Sequence, residues 1–331
     1  MPEVSVLLPP PIRQLEAARM TIRRIFGVLA LVLMCAYAEA VFAQQSLPCA
    51  MPEIQLTFTT IDVPGHSITQ PNGINSNGDI VGFYGDHGIG PLSGFLYRSG
   101  DFTLFDYPSE TVTVPGGIND LGVIVGYATQ NADVRTTVTG FLYDGTTFTP
   151  FKNPNLPATY GLGINNDGVI VGEMGLLSTA KGFKLVNGRY RTIDFPGSYV
   201  YGAATGINNH GLIVGRTDDE KGYALKNGQF RDVGFPGVEF TGAFGVNDGG
   251  IVVGWYFMPG PLDYGFAQKN GKYVSFRYPG EKATFPTGIS STGQVVGAYT
   301  SDFISYHGFV TSPITAKDFD NASRCEMPMN P

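Results

Sequence analysis

The sequence is short of most groups that carry chemistry. Its 331 residues hold three cysteines, four histidines and one tryptophan, and 15% of them are charged, against about a quarter in an average chain. No Lys/Arg-rich run or basic patch occurs, so the electrostatic footprint of a nucleic-acid-binding protein is missing. His66, His87, His210 and His307 have no paired spacing such as His-Glu-x-x-His. No dense Asp-x-Asp-x-Asp loop, P-loop, dinucleotide fingerprint or Gly-x-Ser-x-Gly elbow is present, so neither a metal nor a cofactor is expected. Long apolar runs are confined to the N-terminus; after residue 43 none reaches the about 20 residues that a membrane-spanning helix needs.

That N-terminal run reads as export machinery. Arg23-Arg24 precede the apolar stretch Ile25 to Ala38, and Val41-Phe42-Ala43 offers a small-x-small cleavage site before Gln44. Residues 1–43 are therefore expected to be a signal peptide, with 1–19 an upstream extension before a true start at Met20. A membrane anchor is the alternative, but Glu39 interrupts the run. Cleavage places the protein in the periplasm or outside the cell, as a soluble monomer with no membrane span. It also removes Cys35 and leaves Cys49 and Cys325, one near each end of the mature chain. In an oxidising compartment such a pair is expected to form a disulfide; two unpaired thiols at the chain ends are the alternative.

What the sequence has in excess is glycine, 45 residues, about twice its average share. Many belong to one motif, Gly73-Ile74-Asn75-Ser76-Asn77-Gly78-Asp79-Ile80-Val81-Gly82, which returns five times. Its third residue falls at 75, 119, 165, 208, 247 and 290, so the steps are 44, 46, 43, 39 and 43 residues. Periods of this size mark arrays of small β-sheets. Each period holds four short β-rich segments. In the first they are the segment entering Gly73, then Asp79 to Tyr84, then Gly94 to Tyr97, then Phe102 to Tyr107. Asn-x-x-Gly predicts a tight turn with glycine in the left-handed region, so neighbouring strands pair antiparallel.

Four strands per period and six periods predict an all-β fold, a six-bladed β-propeller of four-stranded antiparallel blades. The segment Thr59 to Pro64 looks like a fourth strand without a blade, and the last period lacks its fourth strand. Inserting the first into the last closes the ring. An open β-solenoid or a barrel is the competing architecture. The expected layout is a linker at 44–57, the array at 58–311 and a tail at 312–331.

The repeated Gly-Ile-Asn-x-x-Gly-x-Ile-Val-Gly, followed by Gly-Phe-Leu-Tyr and by Phe-x-x-Ile-Asp-x-Pro-Gly, resembles the extracellular HAF-repeat family of bacterial secreted proteins over residues 58–311. The resemblance implies secretion and a propeller-like array, and it supplies no catalytic residues. The sixth copy departs at Ser290, and the third has Lys152 where Asp is expected.

Repeated polar residues are expected to be structural. Asn75, Asn119, Asn165, Asn208 and Asn247 serve the same turn, and Asp62, Asp106, Asp194 and Asp232 cap backbone at the strand-ending corner. Residues that differ between repeats point to a site. The position after each Val-Gly pair reads Phe83, Tyr127, Glu173, Arg216, Trp255 and Ala298. Glu173, Arg216 and Trp255, with Tyr256, Tyr84 and Tyr127, are therefore expected to line a binding mouth for an extracellular glycan or protein. A local ion pair beside a half-buried Trp is the competing explanation. The enzyme alternative is a carbohydrate-active hydrolase or lyase pairing Glu173 with Asp218, Asp219 or Glu220. A structural or adhesive surface protein is the third class.

Overall fold

The computed structural model describes residues 52–322 apart from 88–89, 131–136, 177–179, 195–201, 218–220, 239 and 258–261. The expected signal peptide, Cys49, Cys325 and the end of the tail lie outside these residues.

The described chain is built of strands. A first strand, β1 (Phe58–Ile61), precedes four four-strand meanders. These are β2 (Ile68–Ile74) to β5 (Asp101–Phe105), β6 (Val112–Ile118) to β9 (Phe148–Phe151), β10 (Thr159–Ile164) to β13 (Arg189–Ile193), and β14 (Gly202–Ile207) to β17 (Gln229–Asp232). The fifth repeat supplies β18 (Thr241–Val246), β19 (Val252–Phe257), β20 (Asp263–Lys269) and β21 (Lys272–Phe276). The sixth supplies β22 (Ala283–Ile289), β23 (Val295–Thr300) and β24 (His307–Thr311). Within every repeat, neighbouring strands are antiparallel, and β1 pairs antiparallel with β24 from Phe58↔Thr311 to Ile61↔Gly308.

Six separate sheets are not what forms. The first four repeats make separate sheets, whereas the last two and β1 make one of eight strands, joined by the parallel pair Asp263↔Ala283. The join has a plain cause. A parallel bridge from the start of one repeat's third strand to the next repeat's first strand also occurs at Leu92↔Val112 and Val138↔Ala158, and Tyr306 makes it with Ile68. Among the described residues, only at Asp263 does this recurrent contact fall inside two extended strands.

A β-bulge interrupts the pairing of first and second strands in every repeat, between Pro71 and Gly73 in the first copy and Ala243 and Gly245 in the fifth. The bulge drives a carbonyl across the ladder. A Cβ on Gly82 would lie 2.0 Å from the Gln70 carbonyl oxygen, and one on Gly254 would lie 1.9 Å from that of Gly242. The glycine of Val-Gly is therefore a steric requirement. The opening glycine answers a different crowding, because the first strands converge. A Cβ on Gly73 would sit 2.8 Å from the Gly117 Cα, and the succession runs through Gly163, Gly206, Gly245 and Gly288, whose own Cβ would lie 3.2 Å from the Gly73 Cα.

Apolar residues fill the clefts between repeats. Adjacent strand residues point to opposite faces, so Ile80 packs with Ile61, Phe95 and Val296, while Val81 packs with Phe105, Ile118 and Ile124. Each such side chain contributes about 1.5–3 kcal/mol. Val296 of the last repeat meets Ile74 and Ile80 of the first, so the stacking of sheets returns on itself. Four-stranded blades stacked about a common axis are a β-propeller arrangement.

Candidate functional site

The strands give the array two ends. At the turn end lie the Asn-x-x-Gly turns; at the loop end lie the connections from second to third strand and from one repeat to the next, since Ile68 pairs with Gly85 while Ile74 pairs with Ile80.

At the turn end, repeated polar groups are occupied by the fold. Asn75 Oδ1 accepts from the Asn77 and Asp79 amides, and its Nδ2 donates to the Asn119 carbonyl at 3.2 Å. Asn119 donates to Asn165, Asn165 to Asn208, Asn208 to Asn247 and Asn247 to Ser290 in the same way. A second circuit runs beside it, with the Ser76 amide donating to Asp120, Asp120 to Asn166, Asn166 to Asn209 and Asn209 to Asp248. In the sixth repeat the Ser290 hydroxyl accepts from the Gln294 amide in the same way as the asparagine oxygens, but serine has no amide nitrogen to continue the circuit.

Corner residues are also engaged within the fold. Asp62 accepts from the Gly308 amide and Asp232 from the Gly234 amide, and Lys181 pairs with Asp194 at 2.7 Å. The first repeat carries a charge pair at its turn, in which Asp79 accepts from Arg98 Nε and a terminal nitrogen at 2.8 Å each. The hydrogen bond from Arg98 holds the Asp79 carboxyl below its ordinary value.

At the loop end, the residues after Val-Gly occupy one row. Cross-strand pairing sets each beside an innermost residue: Gln70 with Phe83, Val114 with Tyr127, Tyr160 with Glu173, Ala203 with Arg216, Gly242 with Trp255 and Phe285 with Ala298. The row faces the following repeat. A Cβ on Gly182, opposite Glu173, would meet Ala204, and one on Gly222, opposite Arg216, would meet Ala243.

The expected site residues divide within this geometry. Tyr127, Glu173, Arg216 and Trp255 share the row. Tyr127 and Tyr160 meet edge to face at 4.9 Å. Burial first, and then the charge of Glu173, push the Tyr127 phenol well above its ordinary value. Trp255 is 3% exposed and lies among Phe244, Phe257 and Phe285 at 5.0–5.6 Å. Arg216 is 8% exposed; Glu173 is half-buried. Tyr84 and Tyr256 point to the opposite sheet face and stand apart from the row. Tyr84 packs on the His66 ring at 4.7 Å, and Tyr256 stacks on Phe235 at 3.8 Å. Alternation along the strand, not exposure, decides this difference.

Sequence reasoning missed the inner members Tyr160, Ala203 and Gly242. Their signal is a fixed offset of five residues before the motif Asn. Asp218, Asp219 and Glu220, the partners the enzyme alternative requires, lie outside the described residues. Among the described residues no three of His, Cys, Asp or Glu cluster as metal ligands, and no helix is long and apolar enough to cross a membrane.

The chain is thus a β-propeller with a varied row of side chains at one end. No protein-family model matches it, and no curated protein sequence matches it. Among solved structures, TolB from Acinetobacter baumannii superposes with a TM-score of 0.49 at 11% identity, over 72% of this chain and 64% of that one. SapL1 lectin in complex with alpha methyl fucoside gives 0.46 at 10% identity over 71% and 90%, and YCF48 bound to D1 peptide gives 0.46 at 9% over 81% and 99%. This chain therefore spans less than two thirds of the length of TolB. Likenesses of this order leave the architecture to be argued from this chain's own strand pairing, and function from its own site.

Proposed function

We propose that the protein is a binding or interaction module whose site is the loop-end row of Tyr127, Glu173, Arg216 and Trp255, taking an extracellular glycan or protein segment. One observation carries this. The repeated polar residues of the turn end are engaged in the two hydrogen-bond circuits, whereas the row changes from phenol to carboxylate to guanidinium to indole over four successive repeats. A ring that needs the same support at each step has no structural use for such variation. A ligand, which breaks the symmetry, does.

The same reading counts the eight-stranded sheet as two blades and the ring as six. The glycine succession that passes from Gly288 to Gly73, and the hydrogen bond from Thr287 Oγ1 to the Pro71 carbonyl at 2.7 Å, support that count. Membership of the HAF-repeat family, export with cleavage after Ala43, a monomeric state and a Cys49–Cys325 disulfide are part of the proposal. Two flanking contacts favour the disulfide: the Ser275 amide donates to the Pro52 carbonyl, and Lys272 Nζ donates to the Phe319 carbonyl. Both ends of the described chain thus meet on β21.

The test is binding of the protein to an array of glycans and unmodified peptides, repeated with Glu173→Gln. A retained fold with a lost signal supports the site. A signal that survives the substitution moves the site elsewhere, and turnover of the bound ligand that is lost in the variant makes the protein an enzyme.

A further inference from the structure

The outer strand of each repeat presents a row of backbone donors and acceptors on its free side, and one of these edges is already taken. Along β21 the Ser275 amide donates to the Pro52 carbonyl at 3.1 Å, and the Ile54 amide donates to the Ser275 carbonyl at 2.9 Å. Glu53 thereby pairs in parallel with Ser275, and its carboxylate lies 3.6 Å from Arg277. A short extended segment with an acidic residue is thus a partner that an outer edge of this molecule accepts. We infer that the outer edge of the third repeat, β13, is a second docking surface, separate from the loop-end row, for an extended acidic peptide that adds to the sheet as a further strand beside Arg189 and Arg191.

The register assigns the backbone groups. Ser275 stands opposite Phe266, and Thr192 holds the same place in the third repeat, opposite Phe183. The amide and carbonyl that Ser275 turns outward are therefore turned outward at Thr192, which is exposed. Among the described residues no strand pairs with that side of β13.

The side chains supply the charge. Lys184 stands directly opposite Arg191, and Arg189 shares their sheet face by alternation. Like charges directly opposite each other weaken a sheet, and among the described residues these three cations make no ion pair. The place of Lys184 is apolar in every other repeat, where it is Leu96, Leu142, Ala224, Ala267 or Val310. Ile193, on the same face, packs with Ala204 and Ile213 of the fourth repeat, so the cations are directed toward that repeat. Arg231, the counterpart of Arg191 one repeat on, is answered there: the Gln268 amide oxygen, turned toward the Gly271 amide, accepts from it at 3.3 Å. In the repeat that Arg191 faces, the place of Gln268 is held by Leu225, which has no side-chain acceptor.

The other outer strands lack this combination. At the place of Thr192, β9 has Pro150, with no amide hydrogen to donate, and β17 has Asp232. The strands β1 and β5 carry no cation, and β21 is covered.

Seating in the manner of Glu53 also sets a pattern. The residues flanking Glu53 fall on the opposite face, where Ile54 packs with the cluster of Val274 and Phe276. On β13 the corresponding positions lie beside Arg189, Arg191 and Ile193, which calls for acid, acid and an apolar residue at alternate places.

The probe is acetyl-Thr-Asp-Thr-Asp-Thr-Ile-Thr-amide, titrated by fluorescence anisotropy against the full chain. Two controls accompany it, one with the acids adjacent, acetyl-Thr-Thr-Asp-Asp-Thr-Ile-Thr-amide, and one N-methylated at the isoleucine, whose amide would donate to the Thr192 carbonyl. A sulfated polysaccharide is titrated alongside. The probe is expected to bind, with both controls at least about tenfold weaker. Thr192→Pro and the double variant Lys184→Leu/Arg191→Thr should each weaken the probe by a similar factor. These replacements are residues that the first two repeats already carry at the same places, and thermal melts report that the variants remain folded.

Equal affinity for the three peptides would overturn strand addition, as would the absence of any binding. A probe signal indifferent to the folded variants would overturn the site. If the sulfated polysaccharide binds in place of every peptide and is lost in the double variant, the cations serve a glycan and the peptide is overturned.

Discussion

The two ends of the array are made from the same strands and differ in what their polar residues do. At the turn end the side chains repeat and each is engaged: Asn165 accepts from the Val169 amide and donates to the Asn208 carbonyl. At the loop end the equivalent row holds a phenol, a carboxylate, a guanidinium and an indole in succession. In a ring of near-identical parts, repetition marks what every joint needs and variation marks what a single place needs.

The comparison breaks most visibly where packing is tightest. Gly254→Ala places a Cβ 1.9 Å from the Gly242 carbonyl oxygen, so the bulge must rearrange. A loss of about 3 kcal/mol or more is expected in denaturant unfolding. Asn165→Ala comes next. It strips the Val169 amide and the Asn208 carbonyl of a partner at once, for an expected loss of about 2 kcal/mol. An unchanged unfolding midpoint would remove the turn-end circuit from the account.

A pH titration of stability sharpens the contrast at one joint. The Asp79 carboxyl is held below its ordinary value in the fold, chiefly by the Arg98 hydrogen bond. Its contribution is therefore complete above the unfolded carboxylate value of about 3.9, and it fades as the pH falls through the lower folded value. Asp79→Asn should lose about 1–2 kcal/mol at neutral pH and less in acid. A difference between the two proteins that grows in acid would contradict the pairing.

The smallest effect is a gain. Ser290 is where the asparagine circuit stops, because its hydroxyl accepts from the Gln294 amide as the asparagine oxygens do in their own turns, but serine has no amide nitrogen to donate onward. Ser290→Asn, which can keep that bond and also reach the Asn75 carbonyl, should stabilise by about 0.5–1 kcal/mol. A neutral or destabilising result would show that the last joint closes differently.

Much of the fold was legible because each joint imposes the same demand. Gly78 has a φ of 83°, and Asn187 and Gly188 have 49° and 75°, in keeping with the turn chemistry of Asn-x-x-Gly and Asn-Gly. The antiparallel insertion of β1 against β24 was legible from the incomplete ends. The bulge was not, since an extra residue in one strand leaves no mark in an apolar pattern, and without it the role of Gly82 could not be assigned. Nor was the merging of the last two repeats, which turns on how far Asp263 extends the third strand.

The site was legible only in outline. Alternating charge after Val-Gly picked out Glu173 and Arg216, but Tyr84 and Tyr256 were drawn in because they are aromatic and adjacent. Which sheet face a side chain takes requires the register. Thr69, Thr113, Thr159, Thr241 and Thr284 were passed over, although each accepts from the amide six residues upstream at 2.8–3.0 Å. A threonine is too common in strands for its recurrence to stand out.

The central claim separates support from recognition, and one paired measurement addresses it: stability and affinity for the best array ligand, taken together for Asn165→Ala and Glu173→Gln. The account predicts that Asn165→Ala lowers the unfolding midpoint while the folded fraction binds as before, and that Glu173→Gln loses the ligand while remaining folded. The reverse result, a Glu173→Gln variant that is destabilised and still binds, would contradict it.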